Sequence, residues 1–252
     1  MTPKLPKRRA LCESYMKNWH IFANPRVFLA FSERWKPVFG ILGLVFIIIG
    51  LYWGLFVAPA DYQQGEYVRI MYIHVPFAWL GMAGYAAMAT CCASFLIWKH
   101  PLALLSAKAI APIGAVFTAL CLITGMIWGK PTWGTWWVWD ARLTSMLLLL
   151  FLYFGFMLLE GSFDNAEKGG KAAAILALVG VANLPVIKFS VNWWNTLHQP
   201  ASIMRFAKPA IDPSMLYPLL STALGFTLLF IFLTLLRTET ELFNMKQQRR
   251  QS

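Results

Sequence analysis

The chain has 252 residues, 58% of them hydrophobic and 13% charged, with a mean hydropathy of +0.56. This composition excludes an ordinary soluble domain and fits a polytopic membrane protein with short loops. The formal charge of +11 does not point to nucleic acid, because the basic residues gather at the termini and loop edges, where membrane orientation is set.

Residues 1–37 form a basic arm with eight Lys and Arg. No apolar stretch of signal-peptide type follows the basic start, so the first span is expected to remain as an anchor. Asn24-Pro25 is a helix-start signal. Phe28, Phe31 and Trp35 follow at helical spacing, with Arg26, Arg34 and Lys36 beside them. That pattern fits a short amphipathic helix on the inner membrane surface, or else a disordered basic tail.

Crossing a bilayer takes about 20 apolar residues. Six segments qualify, roughly 38–57, 77–98, 109–128, 143–159, 172–191 and 215–236. The predicted class is therefore all-α, with six transmembrane helices in a membrane domain over 38–236 and a tail over 237–252. Pro76, Pro112 and Pro218 are expected at or near helix starts. The fifth segment carries Asn183, Pro185 and Lys188, the last near enough to an end to snorkel.

Sixteen Lys and Arg fall in the N-terminal arm, the second and fourth loops and the tail, against six in the first, third and fifth loops. This asymmetry predicts cytoplasmic termini. The odd-numbered loops then face outward, which in a Gram-negative cell means from the inner membrane into the periplasm. Cys12, Cys91, Cys92 and Cys121 have neither zinc-site spacing nor a Cys-x-x-Cys-His pattern, so they are read as structural.

The odd-numbered loops also hold most of the unusual residues. The first carries Asp61, Glu66, Arg69 and His74; the fifth carries His198 in Trp193-Trp194-Asn195-Thr196-Leu197-His198. The third contains five tryptophans within twelve residues, Trp128, Trp133, Trp136, Trp137 and Trp139, interleaved with Gly129 and Gly134 and followed by Asp140 and Arg142. An interfacial aromatic anchor needs one or two indoles. Five, loosened by glycine, suit a shelf for a large flat apolar ligand.

Of the four histidines, His20 and His100 fall on the cytoplasmic side; His74 and His198 fall outside, each just beyond a span end at matched depth. One such histidine is commonly a plain interfacial residue. Two, on the same face as an indole shelf, suit the two axial positions of haem iron, whereas a zinc site would want three or four ligands. Arg69 and Arg142 are candidates to neutralise haem propionates, or simply snorkel to the headgroups. Asp140 has three open roles: orienting an imidazole, holding a loop, or pairing with Arg142.

The run from Trp128 to Asp140 resembles the tryptophan-rich WWD motif of the haem-handling proteins of cytochrome c maturation. Ala58-Pro59-Ala60-Asp61-Tyr62-Gln63-Gln64-Gly65, Tyr72-Ile73-His74-Val75-Pro76 and Trp193-Trp194-Asn195-Thr196-Leu197-His198-Gln199 resemble its six-span branch. The likeness covers about residues 38–236 and leaves the arm aside. It implies haem b bound at the periplasmic face, with His74 and His198 as axial ligands to the metal. It also implies the shelf of Trp128, Trp133, Trp136, Trp137 and Trp139 as platform, with Asp140, Arg69 and Arg142 nearby. The implied partners are the haem chaperone CcmE, the small membrane protein CcmD and an ABC-type complex of CcmA and CcmB. The chain has no Walker motif, so ATP hydrolysis would fall to a partner and the chain itself would be no enzyme. The competing class is a quinol-oxidising membrane b-type cytochrome. Such proteins usually take their haem histidines from mid-span positions on facing helices, and none lies mid-span here. A solute transporter would expect polar or broken helices at the midplane, which only Asn183 and Pro185 suggest.

Overall fold

The computed structural model describes residues 24–198, 203 and 210–251. The sequence features at Cys12, His20, Gln199 and Pro200 lie outside these. The chain forms α1 (Pro25–Tyr52) and then a π-helical turn (Trp53–Val57). A 3₁₀ turn (Glu66–Ile70) leads into α2 (Met71–Trp98) and α3 (Pro101–Trp133). The remaining helices are α4 (Ala141–Gly161), α5 (Ala166–Gly180), α6 (Asn183–Trp193) and α7 (Pro213–Gln251). Among the described residues there is no strand, only a single bridge between Asp61 and Gly65.

Among the described residues, six stretches are long and apolar enough to cross a membrane: Pro25–Val57, Glu66–Trp98, Pro101–Trp133, Ala141–Gly161, Ala166–Trp193 and Pro213–Gln247. The count agrees with the sequence, but most of the helices run further than hydropathy alone indicates. At about 1.5 Å per residue, a 33-residue helix extends roughly 50 Å against a hydrocarbon core of about 30 Å. Most helices therefore project beyond the apolar layer.

This extension corrects three expectations. The segment from Asn24 to Lys36 is no separate surface helix; it continues into the first span as α1. Asn24 caps it, its Oδ1 accepting from the Arg26 N–H at 2.9 Å, and Pro25 occupies the first turn. Two of that segment's three aromatics face protein, while Trp35 is 40% exposed. Phe28 is buried with Leu102, Leu105, Leu235 and Leu242, and Phe31 packs against them. Secondly, Pro112 sits well inside α3 and Pro37 well inside α1. Each ring removes one main-chain hydrogen bond from a helix interior, and Pro112 is the one expected near a helix start. Thirdly, His74 lies within α2, and Trp128 and Trp133 lie within α3, so these residues stand on helices rather than in loops.

The fifth span is broken. A two-residue turn at Val181 and Ala182 separates α5 from α6. Pro185 has no N–H to offer the Val181 carbonyl, which accepts instead from Leu184 N at 3.0 Å. Asn183, 8% exposed, donates from Nδ2 to the Ser145 carbonyl of α4 at 2.8 Å. The polar residue that hinted at a transport path thus pins the break to its neighbour.

α1 lies along α7, and α2 along α3. The α1–α7 seam depends on small residues. A Cβ at Gly50 would stand 2.6 Å from Thr222 N, and one at Gly225 would stand 2.6 Å from Ile47 N. Close backbone approach of this kind replaces the hydrophobic drive that helices lack in lipid. The larger core joins Phe77, Tyr85, Met88, Phe117, Tyr153 and Phe156 across α2, α3 and α4. Within it the Tyr153 hydroxyl donates to the Gly81 carbonyl at 2.8 Å. At one end of the bundle Lys108 pairs with Glu160 at 2.8 Å, and Lys36 pairs with Glu239. The tryptophan run from Trp128 to Trp139 occupies the other end.

Replacing Gly50 with Leu is expected to force α1 from α7 and cost roughly 1–3 kcal/mol by overpacking. Gly161 has nothing within 4 Å of an added Cβ, so Gly161→Ala should leave stability intact. Thermal unfolding in detergent measures both; equal melting temperatures would contradict the tight seam.

Candidate functional site at the tryptophan end of the bundle

The last turns of α3 organise this end. Trp128 and Trp133 project from them, and Gly134 ends the helix in the left-handed conformation, φ +78°. Its N–H donates to the Lys130 carbonyl at 3.0 Å, the usual way glycine closes a helix. The chain then turns through Thr135–Trp139 to Asp140, the N-cap of α4. Thr135 Oγ1 donates to the Trp137 carbonyl at 3.0 Å, tightening that turn.

The five tryptophans divide by environment. The Trp128 indole N–H donates to Gln64 Oε1 at 2.9 Å, tying α3 to the first loop. Trp133 packs over Gly129, where a Cβ would approach its ring at 3.1 Å. Trp137 leans on the main core, and its Nε1 is buried with no acceptor among the described residues. Trp139 meets Trp137 edge-on at 5.3 Å. Trp136 and Trp139 are 56% and 76% exposed. A narrow cleft runs between Gly125, Trp133, Trp136, Trp137 and Leu143.

Each of these two histidines, His74 and His198, is braced by an indole of α3. His74 meets Trp128 edge-on at 5.6 Å, and His198 meets Trp133 edge-on at 4.7 Å. Both imidazoles are engaged through Nδ1. That of His74 is 3.0 Å from Thr124 Oγ1. That of His198 is 3.3 Å from Asp140 Oδ2. No hydrogen bond engages either Nε2 among the described residues. Thr196 Oγ1 accepts the His198 main-chain N–H at 3.3 Å. Burial pushes the His198 imidazole below its ordinary pKa; Asp140 opposes that shift and the Arg142 charge adds to it. The result is a neutral ring, the form able to ligate a metal.

Asp140 serves two of its three candidate roles. Oδ1 accepts from Leu143 N at 2.8 Å as helix cap, while Oδ2 holds His198. Arg142 reaches another way, donating from Nε to Ser190 Oγ at 3.3 Å and from a terminal nitrogen to the Lys188 carbonyl at 3.5 Å. Its charge still acts on both imidazoles. Arg69 stands apart from the two histidines in its bonding. It pairs with Glu66 and donates to the Gly54 carbonyl of the π-helical turn at 2.9 Å.

The structure therefore gathers His74, His198, Trp128, Trp133, Asp140 and Arg142 into one site and commits Arg69 to the first loop. Sequence reasoning missed Thr124 and Gln64. The one available signal for Thr124 was its position four residues before Trp128, on the same helical face.

Comparison with known proteins comes to the same point. The family model described as Heme exporter protein C matches residues 18–252. A Heme exporter protein C from Bradyrhizobium diazoefficiens is 51% identical over 224 residues, covering 89% of this chain and 85% of that protein. The Heme exporter protein C of Escherichia coli K12 is 48% identical over 233 residues, covering 92% and 94%. A putative ccmC-like mitochondrial cytochrome c biosynthesis protein of Marchantia polymorpha is 43% identical over 229 residues, covering 90% and 96%. With a helical membrane bundle, a tryptophan shelf and two braced histidines at one end, and matches of this extent, the chain belongs to the Heme exporter protein C family.

Proposed function

We propose that this chain is the haem-holding subunit of an ABC-type haem export system for cytochrome c maturation, and that its cargo is haem b. The iron is taken between His74 and His198, with the macrocycle against the tryptophan shelf. The observation carrying this reading is the shared arrangement of the two imidazoles. Each is fixed through Nδ1 and braced by an indole of α3, which leaves both Nε2 lone pairs free of competing donors. Two neutral imidazoles can fill both axial positions of a haem.

The remaining features fit such a cargo. The cleft between Gly125 and Leu143 is too narrow even for water, so the macrocycle would rest on the outer side of the shelf. There Trp136 and Trp139 present exposed ring surface. The propionates are anionic, and Arg142 supplies positive charge beside both histidines. The chain positions and releases haem; bond formation and ATP hydrolysis belong to partner chains. By family resemblance those partners are CcmA and CcmB, with CcmD beside them and the chaperone CcmE as recipient. The charge asymmetry, sixteen against six, supports cytoplasmic termini and a site at the periplasmic face of a bacterial inner membrane.

His74→Ala and His198→Ala are each expected to lose most of the bound haem, read by pyridine haemochrome on purified protein, with partial recovery on adding imidazole. Unchanged haem content and visible spectrum in both variants would overturn the axial assignment.

The triple change of Trp133, Trp136 and Trp137 to Leu keeps the region apolar but removes the flat rings. Aromatic contacts contribute about 0.5–1.5 kcal/mol each beyond burial, so three losses should lower haem affinity at least tenfold while insertion persists. Normal loading in a correctly inserted variant would reduce the shelf to a membrane anchor.

Orientation is tested by thiol labelling in a cysteine-free background. Tyr62 is 90% exposed on the first loop, at the shelf end, and Asp164 is exposed between α4 and α5. Tyr62→Cys should react with a membrane-impermeant reagent in intact spheroplasts, and Asp164→Cys only after lysis. The opposite pattern would turn the site toward the cytoplasm.

A further inference from the structure

The environment of His74 differs from that of His198 in one chemically decisive respect. Thr124 Oγ1 lies 3.0 Å from His74 Nδ1. A threonine hydroxyl has one hydrogen and can accept through its lone pairs. That hydrogen is already used inside α3, where Oγ1 donates to the Leu120 carbonyl at 2.7 Å and lies 3.2 Å from the Cys121 carbonyl. Thr124 then offers Nδ1 only lone pairs at 3.0 Å, while the Cys121 Sγ, a weak partner, stands 4.0 Å from the same nitrogen. Nδ1 must carry the proton and donate it, and the ring's own lone pair is placed on Nε2.

The neighbouring residues of α3 complete the hold. A Cβ at Gly125 would come within 3.0 Å of His74 Cε1, so only glycine lets the ring lie this close to the helix. One turn on, Trp128 closes the edge. Thr124, Gly125 and Trp128 form a single cradle on one helix. His198 instead donates to a carboxylate, Asp140 Oδ2, at 3.3 Å. A charged acceptor draws on an N–H more strongly than a neutral hydroxyl does, and the ring becomes a stronger donor to metal.

We propose that Thr124 is the positioning residue of His74. By accepting from Nδ1 it sets the tautomer and directs Nε2 to the iron of the cargo. Because its acceptor is a neutral hydroxyl, His74 is the weaker donor of an unequal axial pair. This rests on the reading of His74 and His198 as iron ligands.

The test uses full-length protein purified with bound haem. It compares Thr124→Val, Thr124→Ala, Thr124→Ser, Asp140→Asn and His74→Ala. The readouts are haem content, midpoint potential and the ferric low-spin resonance spectrum, which reports axial ring orientation. Loss of a hydrogen-bond partner behind a metal-bound histidine costs about 10–100-fold in affinity. Thr124→Val should sit near the lower figure, with a raised potential and shifted resonances. Thr124→Ala should match it and serves in its place if the valine protein accumulates poorly. Thr124→Ser should restore wild-type values, and Asp140→Asn should raise the potential further than either. Wild-type potential and resonances in both Val and Ala, with haem lost from His74→Ala, overturn the role of Thr124 alone. So does a Ser variant that behaves like Val. Full haem in His74→Ala overturns the ligand reading beneath it.

Discussion

Hydrocarbon offers no hydrogen-bond partner, so a chain that crosses it must satisfy its polar groups from within. That constraint shapes nearly every local choice in this protein. Threonines inside the spans turn their hydroxyls back onto their own helices, as Thr118 does to Gly114 and Thr222 to Pro218 and Leu219. Of the two tyrosines of the central core, Tyr153 finds the Gly81 carbonyl, while the Tyr85 hydroxyl is buried with no acceptor among the described residues. The helix break after Gly180 is closed by the next turn and by Asn183 on the neighbouring helix. Glycine serves the same end indirectly. Where α1 and α7 meet, its missing side chain lets two satisfied backbones come close enough for dispersion to hold them.

The same constraint sorts chemistry to the ends. Ion pairs Lys36–Glu239 and Lys108–Glu160 occupy one end of the bundle. The histidines, the indoles, Asp140 and Arg142 occupy the other. Helices that outrun the apolar layer provide scaffolding there without exposing backbone to lipid. His74 profits from this directly, since it stands on a helix whose rotamers are limited by packing. His198 follows α6 on irregular chain and has to be held by Asp140, Trp133 and Thr196. One imidazole is placed by secondary structure and the other by side-chain contacts.

α3 is the element that joins the two. It contributes Thr124 and Trp128 to one imidazole and Trp133 to the other, then ends at Gly134 so that the chain can turn into the shelf. The five tryptophans are therefore not equivalent. Two brace the imidazoles of His74 and His198, one leans on the core, and two present exposed surface. A density of indoles that looks redundant in the sequence is a division of labour in space.

Hydropathy along the sequence was enough to count six spans, because the cost of burying polar residues in lipid is paid locally, residue by residue. The tryptophan run, the pair His74 and His198, and Asp140 were legible for a similar reason: their density and placement are unusual within a few residues of chain. The extent of the helices was not legible, since α1 and α3 continue through polar and proline-containing turns that packing and capping sustain. Hydropathy cannot register that support. Tertiary structure alone decided that Asp140 turns to His198 and Arg142 to Ser190, and that Arg69 ties the first loop to Gly54. It alone placed Thr124 behind His74, fifty residues away. Which donor meets which acceptor depends on how helices distant in sequence come together, and no local pattern of residue types carries that information.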